Sequence, residues 1–210
     1  MSGGGLISAE NLALFALACV ALAATPGPNV ALIVATALKH GRRAGMLSAA
    51  GVNVGLVLQL TVVAAGLAWL VEIEIFARHF DLVRYVGAAY LVWLAVRQWR
   101  QAGAGTQEAA PSGRAAFARG LAVAFANPKT LLFHAAFLPQ FVTDPAHPVP
   151  QIALLAGIFA MIALVGDMLW AIAADHARTA LKGRFARVAD RVSAVILAGG
   201  AAILLAAGRR

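Results

Sequence analysis

The sequence predicts an all-α, polytopic membrane protein: six transmembrane helices in two inverted three-helix repeats, with helices 1 and 4 broken mid-membrane. Three observations carry this expectation. The 210 residues are 61% hydrophobic and only 12% charged, whereas soluble domains carry about a quarter charged residues. Apolar stretches recur that supply the roughly 20 helical residues needed to cross a hydrocarbon core, and they lack the alternation of membrane strands. Two of them are interrupted by proline near their centres, at "TPGPN" and "ANPKT".

The apolar segments run over about 9–38, 44–71, 82–99, 116–142, 150–174 and 190–208. The stretch "RQAGAGTQEAAPSGRAA" between the third and fourth is rich in glycine, alanine and proline and reads as a flexible loop. The expected organisation is a single transmembrane domain over 1–210, with repeat one at about 9–99, a cytoplasmic loop at about 100–115 and repeat two at about 116–208. Three spans is an odd number, so the second half enters the membrane from the opposite side. That inverted topology is shared by many transporters.

Segment one has no charge from Leu12 to Leu38, yet holds Pro26, Gly27, Pro28 and Asn29. The prolines lack N–H groups and crowd the carbonyls of Leu22 and Ala24, and Gly27 widens the accessible backbone angles. The freed carbonyls are costly in hydrocarbon unless protein, water or a ligand meets them. A second half-helix beginning near Asn29 presents a positive dipole end suited to an anionic group. The run "ALACVALAA" imitates a signal-peptide cleavage site, but residues 1–11 contain no Lys or Arg, so a retained span is expected. Cys19, the single cysteine, excludes an intrachain disulfide, a CxxC pair and a thiolate cluster, and reads as packing.

Segment two contains "GVNVG", whose Gly51 and Gly55 favour close helix approach. Asn53 and Gln59 are neutral polar groups there, suited either to lining a pathway or to bonding a neighbouring helix. Segment four repeats the interruption with Asn127, Pro128 and Lys129. A lysine at membrane depth costs roughly 2.5–3.5 kcal/mol on insertion scales and normally faces a cavity or a partner; snorkelling to the membrane surface is the alternative. Asp167, within "LVGDMLWAIAAD", is the second intramembrane charge, suited to carrying a proton, attracting an ammonium or pairing with Lys129. Thr25, Thr130 and His134, adjacent to the interruptions, are weaker candidates. Paired interruptions in corresponding helices point to a binding site at the membrane midplane.

Lys and Arg set the orientation. Twelve basic residues fall in three loops: Lys39, Arg42 and Arg43; Arg97, Arg100, Arg114 and Arg119; Arg178, Lys182, Arg184, Arg187 and Arg191. The opposite side has Arg78, Arg84, Arg209 and Arg210, with Glu72, Glu74, Asp81 and Asp144 nearby. The basic loops are therefore expected in the cytoplasm and both termini in the periplasm. The net charge of +8 belongs to these loops, so no nucleic-acid partner is expected.

Three motifs in order, "TPGPN", "GAAYLVWLA" at 87–95 and "NPKTLLFHAAFLPQFV" at 127–142, resemble the LysE/RhtB family of bacterial amino-acid exporters. The resemblance covers nearly the whole chain, including Asp167, the basic loop and "DRVSAVILAGGAAILLA". Gln59 stands where relatives often have histidine, and Ala194 where they often have glycine. The resemblance implies export of amino acids or close derivatives across the bacterial inner membrane, driven by the proton gradient. Its expected partners are the amino-acid substrate, protons, the lipid bilayer and, as one option, a second copy of the chain in a homodimer. No cofactor or metal is expected, and no enzymatic activity. A zwitterion suits the charges: its carboxylate toward Lys129 and the half-helix N-termini, its ammonium toward Asp167 and freed carbonyls.

The rival reading is a metal-ion or small-cation exporter of similar six-helix architecture, although such sites want clustered Asp, Glu, His or Cys. An intramembrane enzyme would need a nucleophile and base on facing helices, and no such pair is apparent. A structural subunit would explain the glycine face but not Lys129 and Asp167.

Overall fold

The computed structural model describes residues 7–68, 85–86, 88–97, 99–100, 110–144, 147–180 and 184–206. Glu72, Glu74, Arg78, Asp81, Arg84, Lys182, Arg209 and Arg210 lie outside the described residues, as does most of the loop at 100–115. Among the described residues every regular element is helical.

Helix α1 (Ala9–Ala24) starts at Ser8, whose hydroxyl accepts the Asn11 N–H at 3.2 Å. It stops at Thr25, which is extended, because the residue before a proline is driven out of the helical region. Helix α2 (Pro28–His40) restarts with proline in its first turn, where a missing N–H leaves nothing unpaired. The two axes differ by 49°. Gly41 ends α2 at φ +87°, a left-handed conformation open to glycine and strained for other residues.

Helices α3 (Arg42–Ala68) and α4 (Ala88–Arg97) follow. Helix α5 (Gly113–Ala126) is capped by the Ser112 hydroxyl. It gives way at Asn127 to the short α6 (Pro128–Leu132), one π-helical turn, Phe133–Phe137, and a 3-10 turn, Leu138–Phe141. The long α7 (Pro148–Ala180) and α8 (Arg184–Ala206) complete the chain.

Among the described residues two helices are long and apolar enough to cross a bilayer, Arg42–Val62 and Pro148–Arg178, and α1 with α2 makes a third if the bent pair is one span. The outward faces are apolar: Leu14, Leu17 and Val20 on α1, Met161, Val165 and Leu169 on α7, Val188, Val192 and Val195 on α8. The interior holds Asn29, Asn53, Gln59, Asn127, Thr130, His134 and Asp167. Apolar outside with polar groups gathered within is the arrangement hydrocarbon demands.

Helices attract one another weakly in lipid, so close backbone approach carries the packing. It is tightest between α3 and α5. A Cβ on Gly51 would stand 2.0 Å from the Phe117 carbonyl oxygen, and one on Gly120 2.1 Å from that of Ser48. The "GVNVG" glycines thus act as a packing face, and they bring the α5–α6 interruption against the centre of the bundle.

Candidate functional site

Proline chemistry at the first interruption leaves oxygens to be met. In an unbroken helix the Leu22 carbonyl would bond residue 26, but Pro26 has no N–H. That oxygen accepts instead from the Lys129 ammonium, at 2.5 Å, and from the Thr25 N–H, at 3.3 Å. The same ammonium also donates to the Thr25 carbonyl, and the Ala23 carbonyl accepts from the Trp170 indole N–H at 3.2 Å. Lys129 belongs to the second interruption, so the two breaks meet through its side chain. Charge-assisted hydrogen bonds contribute about 1.5–3 kcal/mol each, enough for two of them to offset the roughly 3 kcal/mol cost of a lysine at membrane depth. The side chain reaches from α6 to the end of α1.

The path of that side chain explains Gly27. Its backbone is extended, at φ −145°, and any residue adopts such angles. A Cβ there, however, would sit 3.1 Å from the Lys129 Cδ, so the missing side chain is what lets the lysine stem cross. Pro28 and Pro128 converge on α8: a Cβ on Gly200 would lie 2.9 Å from the Pro28 Cγ and 3.7 Å from the Pro128 Cδ.

At the second interruption, the Asn127 Oδ1 accepts the Lys129 backbone N–H at 3.0 Å and so caps α6. The Thr130 hydroxyl donates to the Asn127 carbonyl at 3.2 Å. Pro128 frees the Ala124 carbonyl, which accepts from the Gln59 Nε2 and from the Asn127 N–H, both at 3.2 Å. Gln59 is thus the counterpart of Lys129: each supplies a donor to an oxygen stranded by proline.

A cavity of about 30 Å³ lies where the interruptions meet, room for about one water molecule and far less than an amino acid. Its polar wall is Asn29, Asn127, Lys129, Thr130 and Asp167, beside Gly27, and its apolar wall includes Cys19, Leu22, Leu56, Phe159 and Ala163. Helix α2 starts at this cavity, so its positive dipole end faces inward. The Asn29 Oδ1 is buried without a hydrogen-bond partner. Asp167 is 7% exposed and lies within electrostatic reach of Lys129. Among the described residues no salt bridge joins the two. The lysine is committed to backbone oxygens while the carboxylate stays open to the cavity.

Not every candidate read from the sequence comes to this place. Pro26 is exposed, and Pro28 and Pro128 pack behind the wall against α8. Asn53 and Gln59 are buried away from the cavity lining. Oriented to satisfy both neighbours, the Asn53 amide donates to the Ala160 carbonyl at 3.1 Å and accepts the Leu164 N–H at 2.8 Å. It therefore clasps one turn of α7 immediately before Asp167. Cys19, read from the sequence as packing, lines the cavity. Trp170 was absent from the sequence reading. A signal existed, since residues 159, 163, 167 and 170 follow helical spacing and place Phe159, Ala163, Asp167 and Trp170 on one stripe of α7. Among the described residues no group of three or more His, Cys, Asp or Glu converges to hold a metal.

An apolar helical shell around one ammonium, one open carboxylate and two proline interruptions defines the class: a membrane protein of the transporter type. Residues 20–208 match the family described as LysE type translocator. The chain belongs to that family. It is 31% identical over 172 residues to the homoserine/homoserine lactone efflux protein of Salmonella typhimurium, covering 80% of this chain and 82% of that protein. It is 31% identical over 177 residues to the cysteine/O-acetylserine efflux protein of Escherichia coli, covering 83% of this chain and 87% of the relative. The leucine efflux protein of Klebsiella pneumoniae is 32% identical over 136 residues, covering 63% of this chain and 63% of that protein. No solved structure matches the chain.

Proposed function

We propose that this protein exports amino acids or close derivatives across the bacterial inner membrane by proton antiport, using the cavity between the two interruptions as its binding site. In this reading the chain spans the bilayer six times as two inverted repeats, with periplasmic termini. The efflux proteins to which it is similar support the substrate class. The observation that carries the reading is the open Asp167 carboxylate beside a Lys129 ammonium that bridges both breaks.

The chemistry of a zwitterion follows from that pairing. The substrate ammonium takes Asp167, and its carboxylate takes Lys129 and the N-terminal end of α2. A proton and a substrate ammonium compete for one carboxylate. If only the loaded or the protonated form crosses between the two sides, this exclusion yields antiport. The present cavity is too small for the substrate, so binding requires the bundle to open.

The test is a proteoliposome export screen across amino acids, with and without an imposed proton gradient. Gradient-dependent export of at least one amino acid, abolished by Asp167→Asn, is the expected result. Export that ignores the gradient would remove the antiport, and undiminished export by both Asp167→Asn and Lys129→Ala would remove the site.

A further inference from the structure

One wall of the cavity continues into an aromatic cluster that the transport chemistry leaves unused. Phe159 lines the cavity and stacks on Phe133, with ring centroids 5.6 Å apart. Phe133 lies 4.8 Å from Phe137, and Phe137 lies 4.9 Å from Phe141. Phe15 of α1, fully buried, sits against all three, closest to Phe141 at 5.2 Å. The cluster thus runs from the cavity toward the end of the bundle that holds Ser8, Phe141 and Pro148. The opposite end holds Gly41, Arg42 and Arg178, where the Arg42 N–H donates to Asp175.

Two features mark this cluster as a movable element. Phe133–Phe137 is a π-helical turn, a form that is rare, stores an extra residue and recurs at functional sites. Relaxing such a turn to α geometry changes where its side chains point. Inside that turn, His134 is fully buried with neither ring nitrogen bonded, its ring edge against Phe159 at 4.5 Å. Buried polar groups are nearly always satisfied, and leaving one unmet costs about 1–3 kcal/mol. That cost is intelligible if a second arrangement of the turn gives the imidazole a partner.

We propose that Phe15, Phe141, Phe159 and the π turn Phe133–Phe137 form the outer gate of the pathway, and that His134 is the polar contact the opened gate offers to the passing substrate. The proposal rests on the export reading for its substrate, but the gate is measurable without transport. Cys19, the single cysteine of the chain, lies one helical turn after Phe15 and lines the cavity. It reports whether the cavity is reachable from the outer side.

The experiment labels Cys19 in oriented membrane vesicles with a membrane-impermeant methanethiosulfonate, using Cys19→Ser as the blank and detergent-unfolded protein as the maximum. Wild-type protein should label slowly, and Phe15→Ala should label at least about tenfold faster from the outer side. Phe141→Ala is the second variant if Phe15→Ala fails to fold. His134→Phe should keep Cys19 protected and lower export about tenfold, the loss expected from one hydrogen bond to a charged group, with His134→Gln recovering part of it. Equal protection of Cys19 in folded Phe15→Ala and Phe141→Ala overturns the gate. Wild-type export by His134→Phe overturns the role of the histidine. Should wild-type protein export no amino acid, the labelling result still decides the gate.

Discussion

The Lys129 ammonium lies 2.5 Å from the Leu22 carbonyl oxygen, the acceptor that Pro26 deprives of its i+4 donor and leaves with only the Thr25 N–H at 3.3 Å. One interruption supplies the cation and the other supplies the oxygens. Proline at one site and lysine at the other are thus two parts of a single contact.

Lys129→Met is expected to abolish export and also weaken the fold. It takes the ammonium donor from the Thr25 carbonyl and leaves the Leu22 carbonyl with only the Thr25 N–H, while relief from burying the ammonium returns part of that cost. The net loss should be about 1–2 kcal/mol, read as a lower midpoint of thermal unfolding in detergent. A stability equal to wild type would mean the two carbonyls find other donors.

Asp167→Asn should separate function from stability. The carboxylate has no hydrogen-bond partner among the described residues, so an amide of the same shape should shift stability by less than about 1 kcal/mol. Export should nevertheless disappear, because an amide neither binds a proton near neutral pH nor pairs with an ammonium. Efflux assays beside melting curves would show this split, and an Asn variant that exports normally would sink it.

Gln59→Leu should leave export and its gradient dependence intact. The substitution removes one hydrogen bond to Ala124 together with an orphaned buried oxygen, so the stability change stays within about 1 kcal/mol. Asn53→Leu removes two bonds to α7 and should cost about 1–2 kcal/mol. Loss of gradient dependence in a folded Gln59→Leu protein would return that residue to the pathway.

Gly120→Ala and Gly157→Ala form a contrast. The first would press a methyl group against the Ser48 backbone, while nothing lies within 4 Å of the second. Gly120→Ala should destabilise by about 1–3 kcal/mol or fail to insert properly. Gly157→Ala should be neutral or stabilise by up to about 1 kcal/mol, since alanine restricts the unfolded chain. Melting temperatures of the two purified variants decide it.

What could be read from the residues alone follows a physical boundary. A missing proline N–H is a local fact, so the interruptions at Pro26–Pro28 and Pro128 and the stranded carbonyls are visible in one dimension. The insertion cost of a charge is equally local, and it singles out Lys129 and Asp167. The family resemblance rests in part on the same motifs, with "GAAYLVWLA" at 87–95 beside them. Asn53 and Gln59 were legible only as buried polar groups, since sequence does not say which neighbour a side-chain amide faces.

Which donor answers which oxygen is a matter of packing. Lys129 and Leu22 are 107 residues apart, and Gln59 and Ala124 are 65 apart. Their pairing depends on how closely α3 meets α5 at Gly51 and Gly120 and how α8 receives both prolines at Gly200. Cys19 and Phe159 become cavity walls for the same reason, because an apolar residue in a span faces lipid, a neighbour or a cavity at nearly equal local cost. The sequence by itself determined where the backbone would be left unpaired and which charges would be held inside. Only the tertiary structure decided that the lysine of one break would satisfy the other, leaving Asp167 open beside it.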